Sequence, residues 1–483
     1  MGNWIASVGM EVHAELLTQS KMFCRCPVAF GGEPNTRTCP VCLGLPGALP
    51  VPNKRAIELV IKTALALNCT IAMESIFHRK NYFYPDLVKG YQISQYGETN
   101  PLGYYGYLEI PTKEGGFKKI KIRRIHLEED TGKLMHLPNG GSGIDYNRSG
   151  VPLMETVTDF PPDISGPEDA KEYLTQLRAI LIYIGACNGK MEEGSLRCEP
   201  NISIRPEGTD KLGTKSEIKN LNSFRAVQLG VDYEIKRQRE ILESGGTVLQ
   251  ETRGWNDATE TSFGMRIKEA ENDYRYFPDP DLAPMKFDED TIERLRAELP
   301  ELPLSKWKRY QSDFKLSGQH ADQLVSDRDW AEYFEEGVAL GGDPQSICNW
   351  MIADLSGFLN ENGLSARQSN ITPAHLVDLT RLISEGAISG KMGKDVFADS
   401  VKTGAMPSDV VRAKGLSQVS DAGEIEAVAK RVIGENPEVV GRYKEGQLNV
   451  KGFLVGLTMK AGEGKFNPGL VQSAVQKALD DVE

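Results

Sequence analysis

Alternation of apolar and polar residues predicts mainly strands and loops over the first 295 residues. The segments 120–122 and 201–205 alternate with a period of two, and glycine and proline recur at short spacing between such segments. Two helical patterns interrupt the strands, from Asn53 to Leu67 and from Asp169 to Ile184. Because the helices do not alternate regularly with the strands, we predict an α+β fold rather than a doubly wound sheet.

Helical periodicity replaces this alternation in the remainder of the chain. The segment 299–303, Leu-Pro-Glu-Leu-Pro, marks the change. Farther along, Thr372 and Pro373 provide the N-cap and the first residue of a predicted helix, and a second break lies at 404–407. We therefore predict a strand-rich domain, a helical domain and a small helical tail, at residues 1–295, 296–407 and 408–483.

The charge balance restricts the kinds of ligand. The 483 residues include 56 lysines and arginines against 68 aspartates and glutamates, a formal net charge of −12. This excludes a polybasic nucleic-acid-binding protein, whose affinity comes from neutralising phosphates, but it leaves room for a local RNA-binding patch. The sequence shows no secretory signal and no apolar run of membrane-spanning length, and eight cysteines are too few for a disulfide scaffold. We expect a cytoplasmic protein without membrane attachment.

Four of the eight cysteines form two closely spaced pairs. Cys24 and Cys26 are followed, after a glycine-containing turn, by Cys39 and Cys42. Two such pairs provide the four thiolate ligands of a tetrahedral zinc site, and a closed site of this kind is structural rather than catalytic. Because zinc ribbons are common in nucleic-acid-binding proteins, a zinc-ribbon RNA- or DNA-binding protein is an alternative at this point.

Acidic residues recur on the predicted strands of the first domain. On the strand 9–15, Glu11, His13 and Glu15 share one face. Three consecutive acids, 128–130, follow a basic strand. Each pattern taken alone is also typical of a solvent-exposed strand or turn.

A predicted hairpin adds two further polar faces. Its strands are joined by the segment 206–213, and their polar positions are Glu199, Asn201, Ser203 and Arg205 on the first and Lys215, Glu217 and Lys219 on the second. Carboxylates beside lysine and arginine suit Mg²⁺ bound together with phosphate oxygens. Several such faces in one domain favour a functional site.

The segment 77–96 mixes aromatic rings with basic side chains. Rings of this kind stack on nucleobases or on a terminal adenosine, and an aromatic core is the alternative interpretation. The sequence contains neither a G-x-x-x-x-G-K-[ST] loop nor a G-x-G-x-x-G loop between a strand and a helix. Any nucleotide chemistry would therefore use a sheet that carries carboxylates and a metal.

Six ordered motifs resemble those of one known family, the B subunits of the tRNA-dependent aspartyl/glutamyl amidotransferases. The motifs span Gly9–His13, Arg79–Asp86, His126–Asp130, Glu192–Cys198, Lys219–Ser223 and Asp273–Pro278. In the tail, 452–456 and 467–468 resemble the family's C-terminal tRNA-contacting domain. The resemblance covers essentially the whole chain.

The resemblance implies a reaction and a set of partners. The family phosphorylates the side-chain carboxylate of Glu-tRNA(Gln) or Asp-tRNA(Asn) with ATP and Mg²⁺, and ammonia then displaces phosphate to give the amide. Ammonia comes from glutamine hydrolysed by the amidase (A) subunit, the small C subunit helps to hold the heterotrimer, and the misacylating synthetase is a further possible partner. The implied fold is a glutamine-synthetase-like cradle followed by the helical domains.

The resemblance also implies roles for particular residues. Glu11, His13 and Glu129 match the family's Mg²⁺ ligands, whereas strand parity groups Glu128 with His126, so both neighbouring acids are candidates. The other acidic positions of the site, which would hold a second metal or guide ammonia, are Glu199 and Glu217.

The remaining assignments concern ligand contacts. Lys80 is assigned to a phosphate or acyl phosphate. The other nucleotide or substrate contacts are Tyr82, Asp86, Ser195, Arg197, Lys219 and Asn220. The tRNA contacts in the tail are Arg442, Lys444, Lys451, Lys460 and Lys465. The zinc knuckle at 24–42 is assigned to structural support of the cradle. Two other hypotheses are a non-catalytic zinc-ribbon RNA-binding protein and a metal-dependent hydrolase that uses the same carboxylates.

Overall fold

The structure, a computed structural model, describes residues 3–97, 101–113, 115–137, 140–267, 274–416, 421–462 and 465–481. Asp273, the first residue of the sixth motif, lies outside them. The chain divides into two compact units, Met1–Leu304 and Ser305–Glu483.

The first unit contains all the described strands. They are β1 (Trp4–Glu15), β2 (Thr70–Ile71), β3 (Glu74–Ser75), β4 (His78–Asn81), β5 (Tyr91–Ser94), β6 (Gly103–Pro111), β7 (Phe117–Glu129), β8 (Lys133–His136), β9 (Ser142–Asp145), β10 (Pro152–Thr158), β11 (Leu196–Pro206), β12 (Ser216–Lys219), β13 (Glu251–Asn256), β14 (Thr261–Ile267), β15 (Phe277–Pro278) and β16 (Met285–Lys286). Its helices are α1 (Lys54–Ala66), α2 (Pro167–Tyr183), α3 (Phe224–Glu243) and α4 (Glu289–Ala297).

Nine of these strands form one sheet, in the order β14-β13-β12-β11-β1-β10-β7-β6-β2. Most neighbours are antiparallel, and β12 and β13 are parallel. The mixture of this sheet with separate helices confirms the predicted α+β fold.

The sheet has one apolar face and one polar face because its strands alternate. In β1, Val8, Met10, Val12 and Ala14 are buried in the hydrophobic core of the first unit. Helices α1, α2 and α3 pack against strands of this sheet. The intervening residues of β1 point the other way, which leaves the polar face for the candidate site.

The helix starts follow the capping residues that the sequence indicates. The Asn53 side chain accepts hydrogen bonds from the backbone of Arg55 and Ala56, at 3.0 and 3.2 Å, and α1 begins at Lys54. Helix α2 begins at Pro167, two residues before the predicted start. Thr372 forms the predicted cap, here as a capping box.

The described residues of the second unit form helices joined by turns and loops, without a strand, and the first of these helices begins at Pro303, just before the unit. Its helices are α5 (Pro303–Ser312), α6 (Gly318–Val325), α7 (Arg328–Ala339), α8 (Pro344–Trp350), α9 (Ser356–Asn362), α10 (Pro373–Ser384), α11 (Gly390–Thr403), α12 (Pro407–Lys414), α13 (Ala422–Glu435), α14 (Pro437–Lys444), α15 (Val450–Ala461) and α16 (Pro468–Asp480). A π-helical turn (Met351–Leu355) joins α8 to α9, and a 3-10 turn (Ala366–Gln368) follows α9.

Two hydrophobic clusters stabilise the second unit. One contains Tyr310, Tyr333 and Phe334, and the other contains Val432 and Val475. Within the described ranges, no helix has both the length and the apolar character needed to cross a membrane.

Candidate active site

The polar face of the central strands brings together residues that are distant in sequence. In the register of β11, β1, β10 and β7, Arg197 lies opposite His13, His13 opposite Glu155, and Glu155 opposite His126. Directly opposed residues of antiparallel strands point to the same side of a sheet. These four side chains therefore form one row across the sheet.

His13, Glu128 and Glu155 form the first candidate metal-binding group, with ligand atoms within 4.8 Å of one another. His13 Nε2 lies 3.4 Å from Glu155 Oε2 and 3.8 Å from Glu128 Oε1. His126 Nε2 lies 3.2 Å from the same Glu155 oxygen. The Ser94 hydroxyl donates to Glu128 Oε2 at 3.0 Å.

The electrostatics of this group are dominated by its carboxylates. Burial acts to lower the pKa of His13, but the carboxylates of Glu155, Glu199 and Glu128 outweigh it and raise this pKa to about 9. Burial acts to raise the pKa of Glu155, but His126 and His13 hold it well below its usual range. Both carboxylates of the group therefore remain ionised with a proton on His13 as their partner, and a divalent cation would take the place of that proton.

Glu11, Glu199 and Glu217 form a second group with oxygens within 4.8 Å of one another. The register places Glu11 opposite Glu199, and Asn201 opposite Glu217. The Asn201 amide donates to Glu11 Oε1 at 3.0 Å. Lys219 Nζ lies 2.7 Å from Glu199 Oε2 and 4.0 Å from Glu217 Oε1. The predicted hairpin thus supplies two carboxylates and a lysine to one polar site.

Glu129 is not part of either group. It pairs with Lys89 and accepts a hydrogen bond from the backbone of Ile93 at 3.0 Å. Because successive residues of a strand point to opposite faces, Glu128 and Glu129 cannot both reach His13. The structure therefore does not place Glu129 beside Glu11 and His13, as the family match predicted, and it places Glu128 there instead.

Lys80 is surrounded by aromatic rings. Its ammonium lies 4.8 Å from the centre of the Tyr274 ring and 6.0 Å from that of Tyr82. Burial acts to lower the pKa of Lys80, but Tyr276, Glu128 and Glu155 raise it overall. Lys80 therefore remains a cation in the field of the first acidic group.

Three other predicted contacts lie in different surroundings. Asp86 Oδ2 accepts a hydrogen bond from the Thr131 hydroxyl at 3.2 Å. The Ser195 hydroxyl donates to the backbone carbonyl of Lys190 at 2.9 Å, so it stabilises a turn. Asn220 is exposed directly after β12, with a left-handed φ of 65°.

Arg197 contacts one of a pair of acids, which are Glu15 at the end of β1 and Asp130 directly after β7. Its guanidinium donates to Asp130 Oδ2 at 2.7 Å. Burial, followed by the charge of Asp130, raises the pKa of Glu15 to about 7. Burial also acts to raise the pKa of Asp130, but Arg197 and Arg148 hold it below its usual value. Glu15 is therefore the acid of this pair that retains a proton more readily.

The thiols of Cys24, Cys26, Cys39 and Cys42 lie within 4.8 Å of one another and can bind a metal such as zinc. Hydrogen bonds among these thiols give them different pKa values. The bond from Cys24 is the main reason why the pKa of Cys42 falls to about 5, assisted by the backbone amide of Cys39 and by the Lys21 ammonium, 3.7 Å away. A thiolate is the form that binds zinc.

The predicted tRNA contacts lie on or beside α14 and α15. Four of them are exposed, namely Arg442, Lys444, Lys460 and Lys465, and the fifth, Lys451, is half-buried. Arg442 Nε donates to Gln447 Oε1 at 3.0 Å, and Lys451 Nζ donates to Gln476 Oε1 at 2.6 Å.

Several residues of this site carry little or no signal in the sequence. Glu155 was missed because its strand reads Pro-Leu-Met-Glu-Thr-Val-Thr, with a single acid in an apolar segment. Thr252, which donates to Glu217 Oε2 at 2.8 Å, and Ser94 carried no signal because hydroxyl side chains are common in strands. The lone acid in a buried strand is the one signal that was available for Glu155.

Comparisons with known proteins identify the same family in both units of the chain. The family model of the GatB/GatE catalytic domain matches residues 6–293, and that of the GatB domain matches residues 332–479. The relatives include the aspartyl/glutamyl-tRNA(Asn/Gln) amidotransferase B subunit of Thermodesulfovibrio yellowstonii, 49% identical over 99% of both chains. The B subunit of Brevibacillus brevis is 48% identical over 100% of both chains. That of Thermoanaerobacter pseudethanolicus is 50% identical over 98% of this chain and 99% of the relative. The chain therefore belongs to the family of aspartyl/glutamyl-tRNA(Asn/Gln) amidotransferase B subunits.

Proposed function

We propose that the polar face of the sheet is the amidation site of a tRNA-dependent amidotransferase, which acts on Glu-tRNA(Gln), Asp-tRNA(Asn) or both. Membership of the family makes the chain part of a ligase of this type. The observation that supports the location is the convergence of two carboxylate groups on one face of adjacent strands.

The donor atoms of the two groups suit divalent cations. The first offers two carboxylates and one imidazole, and the second offers three carboxylates. Carboxylate oxygens are the ligands that Mg²⁺ prefers, and Mg²⁺ usually keeps waters and binds substrate phosphates as well. We assign His13, Glu128 and Glu155 to one ion, and Glu11, Glu199 and Glu217 to a second ion or to the guidance of ammonia. A bound Mg²⁺ would neutralise charge on the phosphates of ATP.

The positively charged groups of the site would position the transferred phosphoryl group and neutralise its charge. A carboxylate is a poor electrophile, so its oxygen first attacks the γ-phosphorus of ATP and ADP leaves. Ammonia then adds to the carbonyl carbon of the acyl phosphate, inorganic phosphate leaves, and the nitrogen loses a proton. Such transfers depend on positioning and on charge neutralisation, which Lys80, Lys219 and Arg197 are placed to supply.

The other parts of the chain take supporting roles in this proposal. The four cysteines hold a structural zinc, and the segment 408–483 contacts tRNA, next to a helical domain at 296–407. Within a cytoplasmic heterotrimer, the amidase (A) subunit supplies ammonia and the small C subunit holds the complex together. The misacylating synthetase is a further partner.

The test uses the complete complex with ATP, Mg²⁺ and each misacylated tRNA, first with ammonia and then with glutamine. We expect phosphate and amide in about equal amounts, only when aminoacyl-tRNA is present. Glu11→Gln should abolish both products, whereas Glu240→Gln, on an exposed position of α3, should change neither. Phosphate release that needs neither tRNA nor ammonia would instead identify a hydrolase and overturn the proposal.

A further inference from the structure

We propose that His126 is a positioning residue, which holds the carboxylates of Glu155 and Glu128 in the orientation that binds a divalent cation together with His13. This inference rests on the metal site proposed above and adds a residue that is not itself a ligand. It follows from the position of His126 in the sheet, from its burial, from the contacts of its Nε2 atom and from the absence of a partner for Nδ1 among the described residues.

His126 bridges the two carboxylates. It lies directly opposite Glu155 in the register of β7 and β10 and two residues before Glu128 on the same face of β7. Its Nε2 atom is 3.2 Å from Glu155 Oε2 and 3.5 Å from Glu128 Oε2. The carboxylates of Glu155 and Glu128 repel each other in the absence of a cation, and an N–H group between them fixes their positions.

His126 differs from His13, although both imidazoles contact the same oxygen of Glu155. They approach it from neighbouring strands on opposite sides, β7 and β1. The His13 side chain is 17% exposed, whereas that of His126 is 5% exposed. His13 is therefore the imidazole that is accessible to a cation and a substrate, and His126 lies behind the carboxylates.

The ring nitrogens of His126 support the same assignment. Nδ1 is buried and has no hydrogen-bond partner among the residues that the structure describes. Nε2 faces the two carboxylates and donates its N–H toward them. A nitrogen that carries this proton has no lone pair for a metal. His126 thus acts on the site through Glu155 and Glu128.

Ser94 completes the support of Glu128. Its hydroxyl donates to Glu128 Oε2 at 3.0 Å, the same oxygen that His126 contacts. The other oxygen, Oε1, faces His13 at 3.8 Å. Donors on one carboxylate oxygen leave the second oxygen for a cation between Glu128 and His13.

The experiment compares two substitutions in the complete complex, with Mn²⁺ as the probe. The amide nitrogen of glutamine reaches about as far as Nε2 of histidine, whereas that of asparagine reaches only about as far as Nδ1. We expect His126→Asn to weaken Mn²⁺ binding about 10–100-fold, the usual effect of losing a partner behind a metal ligand. His126→Gln should restore most of the affinity, and Ser94→Ala should cause a smaller loss than His126→Asn.

Electron spin-echo spectroscopy of bound Mn²⁺ separates the possible roles, because it detects a coordinated histidine nitrogen. The wild type and His126→Gln should both show the ¹⁴N coupling of His13, and His13→Asn should lose it. Loss of the coupling in His126→Gln would make His126 a ligand, and unchanged affinity in a folded His126→Asn variant would show that it positions nothing. Either result overturns this inference. If the wild type shows no histidine coupling, the proposed metal site itself is wrong.

Discussion

Glu128 and Glu129 are neighbours in β7, yet their carboxylates lie on opposite faces of the nine-stranded sheet. Glu128 faces His13, whereas Glu129 pairs with Lys89. Both acids are almost fully buried, so each depends on the partners of its own face. Substituting Glu128 and substituting Glu129 should therefore have different consequences.

The neighbouring acids provide a matched pair of variants. Glu128→Gln should lower amide formation by about 100-fold or more and weaken Mn²⁺ binding, because it removes a charged ligand. Glu129→Gln should preserve Mn²⁺ binding but cost roughly 3–5 kcal/mol of unfolding free energy, because it leaves the Lys89 charge buried and unpaired. Mn²⁺ titration and chemical unfolding measure the two effects. The reverse pattern would place Glu129 at the metal.

The cysteine cluster predicts a specific metal content. Purified protein should contain one zinc per chain, and Cys24→Ser or Cys42→Ser should lose it and lower the unfolding temperature, because zinc binding contributes on the order of 10 kcal/mol to the folding of such sites. Elemental analysis and a thermal scan give the two values. Cys69→Ala, which alters a buried thiol in the same unit, should retain the zinc. Full zinc content in Cys42→Ser would contradict the assignment.

Glu15 predicts a pH dependence of stability. Its pKa is about 7 in the folded protein against an ordinary value of 4.5. The folded state therefore binds this proton more tightly than the unfolded state does, so stability is lost as the pH rises from 4.5 to 7. Glu15→Gln should remove this loss, which amounts to at most about 3 kcal/mol. Unfolding at pH 5 and pH 8 tests it, with Glu240→Gln as the control; parallel profiles for Glu15→Gln and wild type would contradict it.

The exposed lysines of the tail predict a salt-dependent contact with tRNA. The double variant Lys444→Ala, Lys460→Ala should weaken tRNA binding and reduce the slope of log affinity against log salt by up to about two. Filter binding at several salt concentrations measures both quantities. Lys477→Ala is the control, because that lysine already pairs with Glu426 at 2.9 Å. An unchanged slope in the double variant would remove these lysines from the interface.

Local patterns predicted the polar face but not its full membership. Period two in β1 placed Glu11 and His13 on one face, and the hairpin of β11 and β12 brought Glu199 and Glu217 beside them. Glu155 could not be found in this way, because its contribution depends on β10 lying between β1 and β7. The order of strands in a sheet results from long-range packing, which the alternation within a single strand does not encode.

The choice between Glu128 and Glu129 also shows how far a sequence alone can identify site residues. Strand parity alone groups Glu128 with His126, and the structure has this arrangement. The motif match favoured Glu129 because a run of acids can be aligned with a family pattern in more than one way. Physical alternation discriminates between neighbouring residues more sharply than similarity of sequence does.

The strict alternation along β1 and β7 limits how the chain length can vary. One residue inserted just before Glu128 would turn that carboxylate to the opposite face of the sheet and present the inserted residue to His13 in its place. The same insertion in a loop between strands would leave the register of the sheet unchanged. Insertions and deletions compatible with activity should therefore be confined to the connections, and the central strands should keep their length wherever the reaction is retained.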